Sequence, residues 1–151
     1  MRFPEVAQHN CSIARTLSVL GERWTLLVIR EAFLGVKRFE QMQSDLGIAR
    51  NTLSDRLGTL VDEGILERRA YQERPVRHEY KLTQKGRDLY PVLVSLMRWG
   101  DRYNADQGAP VVLVHQTCGH PADPQLTCSH CGEEIDPREM RPEAGPGALA
   151  A

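Results

Sequence analysis

A change of hydrophobic period at Gly64 constrains the fold of this chain more than any other feature. Before Gly64, apolar residues recur at helical spacing in two blocks, 38–46 and 50–63, and a turn that contains Gly47 separates them. Glycine ends helices readily because it adopts a left-handed backbone conformation at little steric cost. The pattern therefore predicts a helix of about nine residues, a short turn and a helix of about fourteen residues.

The residues after Gly64 predict a two-stranded hairpin. Residues 65–71 form one candidate strand, and residues 76–82 alternate in period two, as expected of a strand with one buried face. The segment 72–75 between them contains Pro75 and predicts the hairpin tip. Helix, tight turn, helix and hairpin is the order of a winged helix-turn-helix, so we expect a mainly α-helical domain with a small β-hairpin.

Further helices are predicted on both sides of this motif. Two amphipathic blocks, 12–20 and 23–33, precede it, with a glycine between them. A longer helix, 84–104, follows it, and Thr83 is well placed to be its N-cap. Pro91 lies inside this helix and should kink it or delay its regular start, because proline lacks a backbone N–H. The long helix carries more apolar surface than one small domain covers, which favours a homodimer.

The chain length and the charge distribution indicate one domain with an appendage. The 151 residues are 41% apolar and 26% charged, which is close to the average of globular proteins. Residues 1–108 contain 17 Lys and Arg against 14 Asp and Glu, a net charge of +3, whereas residues 109–151 contain 2 against 6, a net charge of −4. We therefore expect a helical domain over 1–108, an appendage over 109–135 and a flexible tail over 136–151, which is rich in Pro, Gly and Ala.

No signal for secretion or membrane insertion is visible in the sequence. The first residues lack the apolar stretch of a signal peptide, and the longest apolar run is far shorter than the roughly 20 residues that span a membrane. We therefore expect a cytoplasmic protein without a membrane partner. Four cysteines in such a chain are expected to be thiols or metal ligands rather than disulfides.

The second helix of the motif and the hairpin carry the residues that we expect to contact double-stranded DNA. A helix of about fourteen residues is roughly 21 Å long and fits the major groove. The polar residues opposite its apolar stripe are Arg50, Asn51, Ser54, Asp55 and Arg56. Arg side chains can read guanine and Asn side chains can read adenine. In the hairpin, Arg74 and Arg77 are expected to contact phosphates or the minor groove. The competing interpretation is a solvated helix and an ordinary polar hairpin.

Short blocks of sequence along residues 8–104 carry a family resemblance. The blocks are Cys11-Ser12, Leu20–Glu31, Arg38–Glu40, Leu53–Leu57, Asp62–Leu66, Arg74–Thr83, Gly86 and Trp99-Gly100. Their types and order resemble the HxlR-type transcriptional regulators, which are close in plan to the MarR-type winged-helix regulators. The resemblance implies a homodimer, built by the first and last helices, that represses or activates transcription.

The homodimer has a geometric consequence for the DNA site. Two-fold symmetry predicts a pseudo-palindromic operator with half-sites about one DNA turn apart, roughly 34–36 Å. We expect the chain to act as a repressor there. Ala49 departs from the family pattern, which usually has a small capping Ser at this position, and the missing side-chain cap could cost about 1 kcal/mol.

Cysteine and histidine cluster in the appendage at a spacing typical of zinc ligands. His115 and Cys118 are separated by two residues, and Cys128 and Cys131 follow with the same separation after nine intervening residues. A glycine follows each outer cysteine. Four soft or borderline ligands at this spacing fit a closed, tetrahedral structural zinc site.

The zinc assignment leaves two alternatives open. His120 and His130 are alternative ligands that could replace His115. The appendage is too short to form a hydrophobic core without a stabilising element such as a bound metal. A surface loop with reduced thiols is the competing interpretation, whereas a catalytic pair at Cys128 and Cys131 is disfavoured because no βαβ pattern surrounds it.

Cys11 stands apart from this cluster, at the start of the first predicted amphipathic helix. A helix N-terminus favours the thiolate form of cysteine. In some proteins of the family that the sequence resembles, the matching cysteine senses oxidants or electrophiles. Cys11 is therefore a candidate redox-sensing residue, with packing against the dimer helices as its alternative role, and a small-molecule effector is the alternative signal.

Two classes of function fit these observations. The first is a dimeric DNA-binding regulator that is not an enzyme, since the sequence lacks the glycine-rich phosphate-binding and nucleophile motifs. The second is a winged-helix module for protein–protein or RNA contacts, with the zinc-bearing appendage as its interaction surface. Binding to duplex DNA that weakens steeply with salt would distinguish the first class from the second.

Overall fold

The chain forms two compact units, which divide between Leu93 and Val94. The structure is a computed structural model that describes residues 4–148, so the last three residues of the predicted tail lie outside the described range. The division lies within a helix, earlier in the chain than the boundary at residue 108 that composition suggested. Within the described range, no helix is both long and apolar enough to cross a membrane.

The first unit has the predicted order of helices and strands. In chain order the elements are α1 (Pro4–Ala7), α2 (Ser12–Leu20), α3 (Thr25–Phe33), α4 (Phe39–Leu46), α5 (Arg50–Asp62), β1 (Leu66–Glu73), β2 (Val76–Leu82), α6 (Gln84–Arg87) and α7 (Tyr90–Tyr103), which continues into the second unit. The winged helix-turn-helix arrangement is thereby confirmed. Gly47 ends α4 with a φ of 61°, as the helix-stop prediction requires.

The core of the first unit is built from the apolar faces of four helices, α2 to α5, and the start of β1. Its fully buried side chains include Val28, Ile29, Met42, Leu53, Leu57, Leu60 and Leu66. On α5 the buried leucines recur at i, i+4 and i+7, which is the stripe that the helical period predicted. Burial of such a side chain stabilises the fold by about 2 kcal/mol, so this stripe fixes which face of α5 remains exposed.

The hairpin pairs along its whole length and receives a further contact from the loop before α4. Leu66 pairs with Leu82 in antiparallel register, with an irregularity between Ala70 and Gln72. The backbone N–H of Tyr80 donates to the carbonyl oxygen of Lys37 at 2.8 Å. This contact attaches the hairpin to the helix-turn-helix, and no hydrophobic period in the sequence indicated it.

The single long helix predicted over 84–104 is wrong in one respect, because two helices occupy this range. The Thr83 side chain accepts a hydrogen bond from the Gly86 N–H at 3.1 Å and caps α6, as predicted. Helix α6 ends at Arg87, and α7 begins at Tyr90. The physical reason is Pro91, whose ring would clash with the carbonyl of residue 87 in a continuous helix, so the regular start of the long helix is delayed.

Helix α5 begins at a residue that lacks a capping side chain. Ala49 is its N-cap, with extended backbone angles of φ −63° and ψ 140° that suit a Ser equally well. We expect Ala49→Ser to raise the free energy of unfolding by about 1 kcal/mol, because the hydroxyl can accept a first-turn N–H. Urea titration followed by far-UV circular dichroism measures the change. Ala49→Val, whose side chain offers no acceptor, is the control, and an equal gain in both variants would refute the capping explanation.

The second unit continues from α7 into two small turns. Strands β3 (Val114–His115) and β4 (His120–Pro121) form the first hairpin, and a bridge between Thr127 and Glu134 closes the second. Within this unit the Arg98 side chain of α7 pairs with Asp123 at 2.8 Å. The described part of the predicted tail, residues 136–148, contains no helix or strand.

Candidate nucleic-acid interface

Four of the five predicted groove residues share one exposed face of α5. Arg50, Asn51, Ser54 and Asp55 are all exposed, and their spacing places them on adjacent positions of the first two turns. The Arg50 guanidinium lies 4.8 Å from the centre of the Phe39 ring, which orients it by a cation–π contact. The arrangement presents one amide, one guanidinium, one hydroxyl and one carboxylate to solvent.

Arg56 does not belong to this exposed face, and its assignment there was wrong. Its side chain is only 10% exposed, and its Nη1 lies 3.9 Å from Oε2 of Glu22. The same carboxylate oxygen accepts the backbone N–H of Trp24 at 2.9 Å, at the start of α3. The reason is helical geometry, because residue 56 follows Leu53 by three positions and precedes Leu60 by four, which places it beside the buried stripe.

The tip of the hairpin carries the two arginines that the sequence indicated. Both are exposed: Arg74 lies in the turn between β1 and β2, and Arg77 is the second residue of β2. Gln72 donates to the carbonyl of Arg74 at 3.2 Å, which supports the turn from within the hairpin. Both guanidinium groups are therefore presented away from the core of the first unit, where a phosphate could reach them.

The base of the hairpin contains an ion pair. The Lys81 ammonium lies 3.1 Å from Oε1 of Glu79. This hydrogen bond lowers the pKa of Glu79, and the charges of Lys81, Lys37 and Arg38 lower that pKa further. The ionised Glu79 neutralises part of the positive charge that Lys81 brings to the base of the hairpin.

Sequence reasoning missed two basic residues that the fold brings beside the hairpin. Lys37 and Arg38 lie in the loop before α4, and a backbone bridge pairs Arg38 with Glu79 of β2. The Arg38 guanidinium stacks 4.4 Å from the centre of the Tyr71 ring. The only local signal was a basic dipeptide directly before a helix, which occurs in many surface loops. The long-range pairing gives the dipeptide its place next to the candidate DNA surface.

The predicted zinc ligands form two separate pairs within the second unit. His115 Nδ1 lies 3.6 Å from Cys118 Sγ. Backbone N–H groups of Cys131 and His130 lower the pKa of the Cys128 thiol, and a hydrogen bond with the Cys131 side chain adds to this effect. Among residues 4–148, no group of three or more His, Cys, Asp and Glu side chains is placed to hold one metal ion. All four cysteines are thiols.

Two helices expose large apolar side chains. On α2 these are Ile13 and Leu17, which are 71% and 49% exposed. On α7, Tyr90 is exposed at the first residue, and the others recur along one stripe that comprises Val92, Leu96, Trp99 and Tyr103. Single exposed apolar residues are common on protein surfaces, but a repeated stripe on a helix indicates a surface that contacts another molecule.

Both the sequence and the structure are similar to those of helix-turn-helix transcription factors. Residues 19–108 match the family model described as HxlR-like helix-turn-helix. An uncharacterised HTH-type transcriptional regulator of Mycobacterium tuberculosis is 55% identical over 140 residues, which cover 92% of this chain and 89% of the relative. The crystal structure of PA1607, a proposed transcription factor, has a TM-score of 0.83 and 35% identity, and the match covers 93% of this chain and 99% of that one. The redox regulator HypR in its oxidised form has a TM-score of 0.57 and 30% identity, with 62% and 98% of the two chains covered.

Proposed function

Because this chain belongs to the HxlR-like helix-turn-helix family of transcriptional regulators, we propose that it binds specific operators in duplex DNA through α5. The exposed polar face at the N-terminal half of α5 is the observation that carries the proposal. The helix has 13 residues, a length of about 20 Å that the major groove accommodates. Its opposite face is fixed by buried leucines, so the polar face has one defined orientation on the domain.

The side chains on this face suit direct readout of bases. A guanidinium can donate two hydrogen bonds to guanine, and a carboxamide can donate one to and accept one from adenine. Arg50 and Asn51 are therefore the specificity residues of the proposal. Ser54 and Asp55 lie one turn further along and adjust the same contact.

Phosphate contacts come from basic residues around α5. Arg74 and Arg77 at the hairpin tip would bind the backbone beside the groove, and Lys37 and Arg38 extend this basic surface toward α4. Phosphate contacts set affinity and register without reading sequence. Substitutions on α5 are therefore expected to change base preference, whereas substitutions of the surrounding basic residues are expected to change affinity for all duplexes.

We propose that the regulator acts as a homodimer on a pseudo-palindromic operator. The apolar stripes on α2 and α7 support this, because burial in a second copy would remove them from water. A two-fold dimer presents two copies of α5 to half-sites about one DNA turn apart, roughly 34–36 Å. We propose repression as the mode of action, since a regulator bound to an operator that overlaps a promoter would exclude polymerase without further contacts.

We propose that Cys11 is the residue whose oxidation signals a redox change. It is exposed and is the N-cap of α2, the helix that carries Ile13 and Leu17. Oxidation there would alter the residue that precedes the proposed dimer helix. HypR, which shares the fold, is described as a redox regulator. A small-molecule effector stays the alternative signal.

Selection of duplexes from a random pool at about 0.15 M salt tests the function, since specific binding must survive that screening. We expect enrichment of a two-fold-symmetric site. Arg50→Ala and Asn51→Ala should each reduce discrimination by about 1–3 kcal/mol at one base position of each half-site. Arg74→Ala and Arg77→Ala should instead weaken binding to all duplexes and make the dependence of affinity on salt less steep.

A charge-matched control separates readout from general electrostatics. Arg141→Ala removes one positive charge from the tail, where the Arg141 side chain pairs with Glu143 at 2.8 Å, and should leave both affinity and preference unchanged. Folded protein that enriches no duplex, in both reduced and oxidised form, would overturn the proposal and favour a winged-helix module for protein or RNA contacts.

A further inference from the structure

We propose that the second unit binds one structural zinc ion through His115, Cys118, Cys128 and Cys131. The proposal is independent of the DNA-binding function, because it concerns the segment after α7. Three thiolates and one imidazole are the donor set that zinc prefers in closed structural sites. The residues present therefore fit the chemistry of the ion.

The two turns that carry these residues have the same backbone geometry. In the first turn, the Gly119 N–H donates to the carbonyl oxygen of His115 at 2.7 Å, and in the second the Gly132 N–H donates to that of Cys128 at 2.8 Å. Both glycines have a positive φ, 72° and 79°.

The repetition puts the four ligands at equivalent positions. His115 and Cys128 open the two turns, and Cys118 and Cys131 stand three residues later in each. The first turn brings its two donors together, since His115 Nδ1 and Cys118 Sγ lie 3.6 Å apart. Each turn is half of a tetrahedral site, and neither half binds zinc tightly without the other.

His115 and His120 differ in the placement of their ring nitrogens. His120 Nδ1 lies 2.7 Å from the carbonyl oxygen of Cys118, a hydrogen bond that orients the ring and leaves Nε2 available to a metal. His115 Nδ1 instead lies 3.6 Å from Cys118 Sγ, so the two donors are adjacent. We assign His115 as the fourth ligand on this proximity and on its equivalence to Cys128 in the second turn, and the variants His115→Ala and His120→Ala test the choice.

The segment has no apolar core that could hold the two turns in place. Every residue from 106 to 148 is exposed or half-buried. A polypeptide of this size that forms defined turns without a core generally relies on a metal or on disulfides, and its cysteines are thiols. Zinc joining the two turns would supply the missing stabilisation, and its binding would release the protons of the three thiols.

Metal content of the full chain, purified under reducing conditions without chelator, tests the proposal. We expect about one zinc ion per chain, and replacement by cobalt should give the intense visible absorption of a tetrahedral thiolate site. Cys118→Ser, Cys128→Ser, Cys131→Ser and His115→Ala should each reduce bound zinc to below about 0.2 per chain, because three ligands rarely retain a structural ion through dialysis.

Matched variants make the ligand set falsifiable. Cys11→Ser, His120→Ala and His130→Ala remove the same residue types and should retain zinc. Far-UV circular dichroism confirms that the helices of each variant are intact. A reduced wild-type chain that takes up neither zinc nor cobalt would overturn the site, and loss of metal in Cys11→Ser equal to that in Cys128→Ser would overturn the ligand assignment.

Discussion

Replacement of Gly86 by Ala is expected to lower the free energy of unfolding by about 3 kcal/mol, because the methyl group has no room. A Cβ atom at this position would lie 2.2 Å from the carbonyl oxygen of Ile65 and 2.9 Å from Cδ2 of Leu82. The Ile65 carbonyl group is not free to move away, since its oxygen accepts a hydrogen bond from the backbone N–H of Thr83 at 3.1 Å. The clash therefore falls on the junction that joins both strands of the hairpin to α6.

Gly58 provides the opposite case within the same unit. It lies in the middle of α5, is exposed, and a Cβ atom there would meet nothing within 4 Å among the described residues. Gly58→Ala should therefore raise the free energy of unfolding by about 0.5–1 kcal/mol through improved helix propensity. Urea unfolding of both variants measures the difference. If both substitutions change the free energy of unfolding in the same direction, close packing around Gly86 is not what distinguishes the two positions.

Local patterns in the sequence were sufficient for most of the first unit. Helix α2 and strand β2 begin and end at the predicted residues, and the leucine stripe of α5 is buried as its period requires. These features depend on neighbours within one or two turns, which a sequence displays directly. The break before α7 was also encoded locally, by Pro91.

The features that sequence reasoning missed depend on pairs of residues far apart in the chain. The contact between Lys37 and Tyr80 and the ion pair between Glu22 and Arg56 join separate elements. A hydrophobic period defines which face of an element is buried, but it does not identify the polar partner that the opposite element provides. The exposure of Arg50 and Asn51 was accordingly predicted from the helical period, whereas the exposure predicted for Arg56 was wrong because its charge is buried against Glu22.

The proposed zinc ligands also show what local sequence patterns cannot determine. Spacing alone predicted two knuckles, and the structure has two turns with matching hydrogen bonds. Spacing does not determine how close the two turns come to each other, because the intervening residues 120–127 form no pattern that fixes their path. In the site that we propose, the ion brings the two pairs together, because the binding energy of a structural metal is folding energy for such a segment.

Arg56→Ala should lower the free energy of unfolding by about 3 kcal/mol, although Arg56 lies on the helix that we propose enters DNA. The substitution removes a large side chain that is mostly buried and leaves the Glu22 carboxylate without its cationic partner. Arg50→Ala, on the exposed face of the same helix, should change stability by no more than about 0.5 kcal/mol. Thermal or urea unfolding of the two variants measures the difference. Since each variant loses one positive charge, a difference in the free energy of unfolding reports the burial of Arg56.

Arg56→Met separates the packing role of this residue from its charge. Within residues 4–148, the Nε atom of Arg56 is one of two buried side-chain polar atoms without a hydrogen-bond partner, the other being Oγ1 of Thr25. Methionine keeps the apolar stem and removes this unsatisfied atom, so its loss of stability should be about half that of Ala or less. Because Arg50 and Asn51 keep their positions, Arg56→Met should enrich the same operator sequence as the wild type. A changed base preference with unchanged stability would place Arg56 in the groove and refute the buried role assigned to it.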